Sequence, residues 1–298
     1  MKTTKRDKEL FESQHYNRKL ARPLTFPFSR SFSDPLNGGG FDPDATAYSA
    51  LLRGDGASVS GSQAAAINDF FVSGKDEGWY SALKRMYLPI WAAAAPNAID
   101  MIGGPSGTWV GGSGVTHAAG YAKGDGSTGR FDFGISPYSL GLTRNTSTIG
   151  CLVAVVPTQT GRFVSVQTGG TPLHINMVTS SIIRTNSFDL AVLDGSATSY
   201  ASAGGVWVLS RTTSTSVKLF QLDDAGSSED ANTATSDNVN ITHDLTGMAR
   251  NNSGSYSAYS DAGFGAFFAA TGMTDAQATN FMAATRTLWE TATGLSLP

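Results

Sequence analysis

The chain has 298 residues, enough for two compact domains or for one domain with extensions. At 40% hydrophobic and 15% charged residues, with 34 glycines, it is too apolar for a disordered chain and too poor in charge for a coiled coil. A single cysteine, Cys151, excludes an intrachain disulfide and a cysteine-built zinc site. No apolar run approaches the ~20 residues that cross a bilayer, and the charged start lacks the apolar stretch of a signal peptide. The expectation is a soluble protein, rich in Gly, Ser and Thr, made in a reducing compartment.

The net charge of −3 hides a split. Residues 1–30 carry eight basic and three acidic side chains, a local balance of +5, against −8 for the remainder. Pro23, Pro27 and Pro35 exclude a long helix here, and Asn37-Gly38-Gly39-Gly40 is a flexible break. Residues 1–40 therefore read as an extended arm. Its candidate partner-binding residues are Phe11, Tyr16, Arg18, Arg22, Phe26, Phe28 and Arg30. Covering each Phe on a neighbouring molecule would contribute about 1.5–3 kcal/mol. The basic residues are too diluted by rings for a nucleic-acid tail.

Residues 41–95 read as three short helices forming a collar. Asp42 is the expected N-cap of the first, with Pro43 at its first position. Ser60 or Ser62 starts the second, which buries Ile67, Phe70 and Phe71 and stops at Gly74. A third is expected from near Glu77, with Trp79, Leu83, Met86, Tyr87 and Ile90 on one face. Arg53-Gly54-Asp55 reads as a turn between helices.

From about Pro96 the period becomes two, and 96–298 reads as one β-sandwich domain. Leu173, Ile175 and Met177 alternate with His174 and Asn176, and Phe188, Leu190 and Val192 with Asp189. His174 is expected on a solvent face. Ile149–Val156 reads as a strand buried on both sides, with Cys151 inside it. Val206–Leu209 and Val217–Phe220 are further strands. Gly124-x-Gly126-x-x-Gly129 matches a dinucleotide fingerprint as a string, but Arg130-Phe-Asp-Phe after it is strand-like, so it reads as a turn. Thr274-Asp-Ala-Gln277 is a capping box opening a C-terminal helix. Its stripe is Ala278, Phe281, Met282, Thr285, Leu288 and Trp289, and Gly294 closes it.

An ordered set of motifs carries a resemblance. It comprises Ala66-Ile-Asn-Asp-Phe-Phe through Trp79-Tyr-Ser-Ala-Leu-Lys-Arg-Met-Tyr-Leu, Gly124-Asp-Gly-Ser-Thr-Gly-Arg-Phe-Asp-Phe-Gly, Gly205-Val-Trp-Val-Leu-Ser-Arg, Val217-Lys-Leu-Phe, Met248-Ala-Arg-Asn-Asn and Gly263-Phe-Gly-Ala-Phe-Phe-Ala-Ala-Thr-Gly-Met-Thr-Asp-Ala-Gln. Together these resemble bacteriophage virion structural proteins with a concanavalin A-like (laminin-G-like) jelly roll. The resemblance spans about Phe41 to Gly294. It implies a mainly β, antiparallel jelly-roll sandwich with a helical lead-in, a C-terminal helix and an N-terminal arm. It also implies a non-enzymatic tail, baseplate or head-surface component. Such a protein is located in the virion after synthesis in the bacterial cytoplasm, and its partners are other virion proteins and further copies of itself.

Two other functions stay open. One is a host-surface carbohydrate-binding adhesin, for which Asn251, Asn252, Tyr256 and Tyr259 are the candidate glycan contacts. The other is a glycan hydrolase, which needs two cooperating carboxylates. Between Pro96 and Ala270 the chain has one glutamate, Glu229, read as lying in a loop. No catalytic residue is expected. No cofactor is required either, although Asp223, Asp224, Glu229 and Asp230 could offer calcium hard oxygen ligands.

Overall fold

The computed structural model describes residues 40–179, 182–188, 193–194, 203–233, 235–236 and 239–298. The seven arm residues from Phe11 to Arg30 lie outside them, as do Asp189, Leu190 and Val192.

Helix α1 (Pro43–Gly54) begins as expected: Asp42 accepts a hydrogen bond from the Asp44 amide, and Pro43 occupies the first turn. Helix α2 (Gly61–Asp76) starts with a reciprocal Ser60–Gln63 capping box. Gly74 does not stop it. A Cβ there would sit 2.6 Å from the Trp79 indole, so this glycine makes room for a ring rather than ending the helix.

The expected third helix is a strand. After a 3-10 turn at Tyr80–Ala82 the chain runs extended as β1 (Leu83–Tyr87). A bulge between Leu83 and Arg85 shifts the alternation of its side chains. Leu83 and Met86 join the helical side of the molecule, whereas Tyr87 points into the sandwich and meets Phe131 at 4.7 Å. A short apolar run fits either period, and pairing with a long strand decides it. The segment 41–95 is therefore not a purely helical collar, since it supplies a strand to a sheet. A four-residue helix, α3 (Ala94–Asn97), follows.

The next strands are β2 (Thr108–Val110), β3 (Val115–Ala118), β4 (Tyr121–Gly124), β5 (Arg130–Asp132), β6 (Ser147–Val155), β7 (Gly161–Thr168) and β8 (Thr171–Thr179). After them come β9 (Ile182–Ser187), β10 (Leu193–Asp194), β11 (Gly205–Thr213), β12 (Ser216–Leu222) and β13 (Ser227–Asn232). The last are β14 (Thr246–Gly247), β15 (Arg250–Asn252), β16 (Ser255–Ser257) and β17 (Gly263–Ala270). Helix α4 (Asp275–Thr293) ends the described elements.

They form two sheets. The first has the order β13-β12-β11-β6-β17-β4-β3, with β1 also pairing β17. The second has the order β10-β9-β8-β7-β14-β5-β2, and the β15–β16 hairpin attaches to β7. Pairing is antiparallel except for one parallel bridge, Asn252–Gln167. Between the sheets lies a core containing Cys151, Trp207, Phe131, Phe163, Phe264 and Phe267. The protein is thus a mainly β, two-sheet sandwich, as expected.

The other face of the first sheet is covered by the helices. Phe70, Trp79 and Phe281 meet at 4.8 and 5.1 Å, and Phe268 of β17 joins Phe281 at 4.6 Å. A hydroxyl network anchors the start of α4: Ser210 Oγ donates to Met273 O at 2.7 Å, and Thr148 Oγ1 accepts from Met273 N at 3.0 Å. Sandwiched between helices and core, β6, β11 and β17 read as nearly continuous apolar runs. That leaves the outer face of the second sheet as the one broad sheet surface without a helical cover among the described residues.

Candidate functional site

The outer face of the second sheet is polar, and the site is built there from β5 upward. Its entry loop is the glycine-rich string Gly124–Gly129. Asp125 Oδ1 accepts from the amides of Ser127, Thr128 and Gly129 at 2.8–3.0 Å, while its Oδ2 takes both hydroxyls. Burial opposes the charge, but the bonds from Gly129, Thr128 and Ser127 prevail and hold this carboxyl well below the ordinary range. The loop is a turn feeding a strand, as read.

Alternation along β5 then sends Phe131 into the core and turns Arg130 and Asp132 outward. Arg130 Nε donates to Asp132 Oδ1 at 3.2 Å. The register carries a row outward from Asp132: Thr108, Asp132, Thr246, Ser165, His174 and Asn186 stand side by side across five strands and β14. Thr246 and Ser165 are fully buried, and His174 and Asn186 nearly so. His174 was expected to meet solvent. It does face away from the inter-sheet core, but this face is covered at that point.

Over β14 and β5 the cover is the β15–β16 hairpin. Its turn, Ser253-Gly254, has φ of 52° and 91°, the two left-handed positions of a tight hairpin. The Thr246 hydroxyl lies 2.8 Å from Ser165 O and 2.9 Å from Ala249 O. Opposite Asn251, Tyr256 reaches over β5, where the Arg130 guanidinium lies 3.7 Å from its ring centroid. Burial, and then the Asp132 charge, raise the Tyr256 phenol above its usual range. Asp132 is itself raised, first by burial and further by Asp244, with Arg130 opposing. One guanidinium, two carboxylates and a phenol thus share one polar patch.

The candidate glycan residues fare unequally. Tyr256 belongs to this patch, and Asn252 and Tyr259 are half-buried. Asn251 is not available to a ligand: it is 2% exposed, its Nδ2 donates to Asp244 O at 2.8 Å, and its Oδ1 accepts from the Gly254 amide. Arg130, Asp132 and Asp244 were missed. The alternation Arg-Phe-Asp-Phe held the signal for two of them, but their meeting with Tyr256 depends on distant register.

The calcium candidates do not form one loop. Glu229 and Asp230 lie on opposite faces of edge strand β13 rather than in a loop. Asp223 Oδ1 caps the amides of Ala225 and Gly226, Asp224 pairs with Arg286 at 3.2 Å, and Glu229 pairs with Lys218 at 2.8 Å. Among the described residues, no three His, Cys, Asp or Glu side chains converge on a common point.

Scanned against family models and curated proteins, the chain matches none. Among solved structures it is similar to a mutant of Trypanosoma rangeli sialidase displaying trans-sialidase activity, at 11% identity and a TM-score of 0.40. That likeness covers 73% of this chain and spans 38% of the other.

Proposed function

We propose that this chain is a non-enzymatic structural component of a bacteriophage virion, held by its basic, aromatic N-terminal arm and displaying the sandwich outward. One observation carries the reading. Most of the segments that bear the resemblance to virion proteins, α2, β1, β11, β12, β17 and the start of α4, belong to the helix-covered sheet or to its cover. This sheet is the scaffold of the fold. Its central strands β6, β11 and β17 are buried on both faces, so the opposite sheet and the edge strands are left for contacts. The charge split supports the arm's role, since a +5 arm suits a −8 body of a neighbouring copy or another acidic virion protein.

The test is truncation. Without residues 1–40 the protein should fold, since Phe41–Pro298 forms a compact unit of its own, yet fail to enter particles as judged by mass spectrometry of purified virions. Normal incorporation of the truncated chain refutes the role of the arm, and absence of the full-length chain from particles refutes the virion role.

A second reading is favoured by the Arg130–Asp132–Tyr256 patch: the displayed sandwich binds a saccharide of the host surface. Carboxylates accept from sugar hydroxyls, a guanidinium donates to ring and hydroxyl oxygens, and an aromatic ring supplies an apolar contact. A printed glycan array tests this directly. Loss of signal in Asp132→Asn with retention in Asn252→Ala assigns the sheet-face patch over the hairpin tip.

A further inference from the structure

The hairpin that covers the second sheet is fastened differently from the strands around it. Three of the four non-glycine residues with positive φ in the described chain belong to this segment: Met248 (65°), Ser253 (52°) and Ala258 (50°). Ser253 makes the turn. Met248 sits in the two-residue reversal that turns β14, antiparallel to β7, into β15, parallel to it, and Ala258 stands just past β16, so the left-handed positions mark both ends of the hairpin. Each is also a fixed point. The Met248 amide donates to Phe163 O at 2.9 Å, and the Arg162 amide donates to Ala258 O at 3.0 Å. Between these points the hairpin holds the sheet at its tip, where the Ser253 amide donates to Gln167 O at 3.0 Å. Backbone pairing with β7 is confined to the single bridge at Asn252–Gln167, and the other ties across the hairpin involve side chains: Thr246 to Ala249, Asn251 to Asp244, and Tyr256 on Arg130. Next to Thr246 in the row, the Ser165 hydroxyl is buried with no hydrogen-bond partner among the described residues, an arrangement a permanently closed interior does not favour.

We propose that the Arg250–Ser257 hairpin is a strap hinged at Met248 and Ala258, latched in this structure by Tyr256 on Arg130, and that its opening bares the polar row of the second sheet to ligand. The hinge and latch stand on geometry alone. That the ligand is a saccharide rests on the second reading above. Opened, the strap frees the Arg130 guanidinium from the Tyr256 ring and uncovers Thr246 beside Ser165 and Asp132, an array of donors and acceptors suited to several hydroxyl groups at once.

Hydrogen–deuterium exchange of the full chain tests the strap without any ligand. Amides 249–257 should exchange well ahead of β17, by local opening rather than global unfolding. Tyr256→Ala and Arg130→Gln should each speed them roughly three- to thirtyfold, the worth of one cation–π latch, and the double variant should add little to either. If one variant fails to fold, the other carries the test. Strap amides that exchange with β17 in wild type and in the folded variants overturn the proposal. A lock separates strap from ligand: Asn252→Cys with Gln167→Cys, at the parallel bridge, oxidised and reduced, on the printed glycan array. Signal present when reduced and lost when oxidised supports gating, while equal signal in both states overturns it. Local exchange with no array signal in any form leaves the latch standing and removes the saccharide.

Discussion

Trp289 donates its indole N–H to the carbonyl of Gly120 at 2.7 Å, so that the C-terminal helix is tied to the turn between β3 and β4, 169 residues earlier. Both partners are buried. Next to the indole, Gly265 of β17 has no room for a side chain, so the ring is seated directly on the sheet. Trp289→Phe keeps most of the apolar contact but strands the Gly120 carbonyl, and should cost about 1–3 kcal/mol. Trp289→Ala adds a cavity and should cost about 3–5 kcal/mol. Urea titrations of the two variants check both figures. Equal loss in Phe and Ala variants would show that the hydrogen bond, rather than the packing, holds the helix.

The parts of this fold written in local chemistry were legible. Asp42 with Pro43, Thr274 with Gln277, and Gly294 at φ 72° act within one turn of themselves and mark helix ends where the sequence placed them, and Ser60, one of two expected starts, caps α2. Cys151 sits in a run too uniformly apolar to be anything but a doubly covered strand. What depends on distant partners was not legible. Leu83–Tyr87 has a spacing compatible with either period, and only its pairing with β17 makes it a strand. Asn251 looked like a ligand-facing amide, yet it is spent nearby, on Asp244 and Gly254, because the chain folds back into a hairpin whose residues 251–254 carry no Asn-Gly or Asp-Gly turn signal. The candidate site fails locally for the same reason: Arg130 and Tyr256 are 126 positions apart, and no pattern in either neighbourhood names the other.

Asp125 should give the loop before β5 a distinctive acid response. Its folded carboxyl is depressed below the ordinary 3.8, with hydrogen bonds from Gly129, Thr128 and Ser127 outweighing burial. A depressed carboxylate contributes stability that is present above the unfolded value and lost as pH falls through the folded one. The side chain is largely exposed, so solvent screening keeps the contribution modest. Asp125→Ala should therefore lower stability by about 1 kcal/mol at neutral pH, comparable to a lost capping residue. The gap between wild type and variant should narrow only below about pH 4. Denaturation curves from pH 7 to 2 check this. A gap independent of pH would mean the loop is held by shape rather than by the carboxylate.

Calcium should do little to the described fold. Lys218 already stands as the cation between Glu229 at 2.8 Å and Asp275 at 2.6 Å, linking the edge of the first sheet to the start of α4. Arg286 does the same for Asp224. With these carboxylates paired and Asp223 capping its own turn, adding calcium or a chelator should move Tm by less than about 1 °C. A calcium-dependent rise of several degrees, abolished in Asp223→Asn with Asp224→Asn, would restore this rim as a metal site.

Cys151 should be silent until the sandwich opens. It lies on β6 between Trp207 of β11 and Phe267 of β17, fully buried in the inter-sheet core. Burial pushes its thiol well above the usual range, so the reactive thiolate is disfavoured by the same packing that blocks reagent access. An aromatic disulfide reagent should leave the native protein unmodified and label one thiol per chain along the denaturant unfolding transition. Because β6 is central in its sheet, local fraying at the edges β13 and β3 exposes nothing here, and labelling should track global unfolding. Rapid labelling in native buffer would mean that the two sheets part far more readily than a core of this density allows.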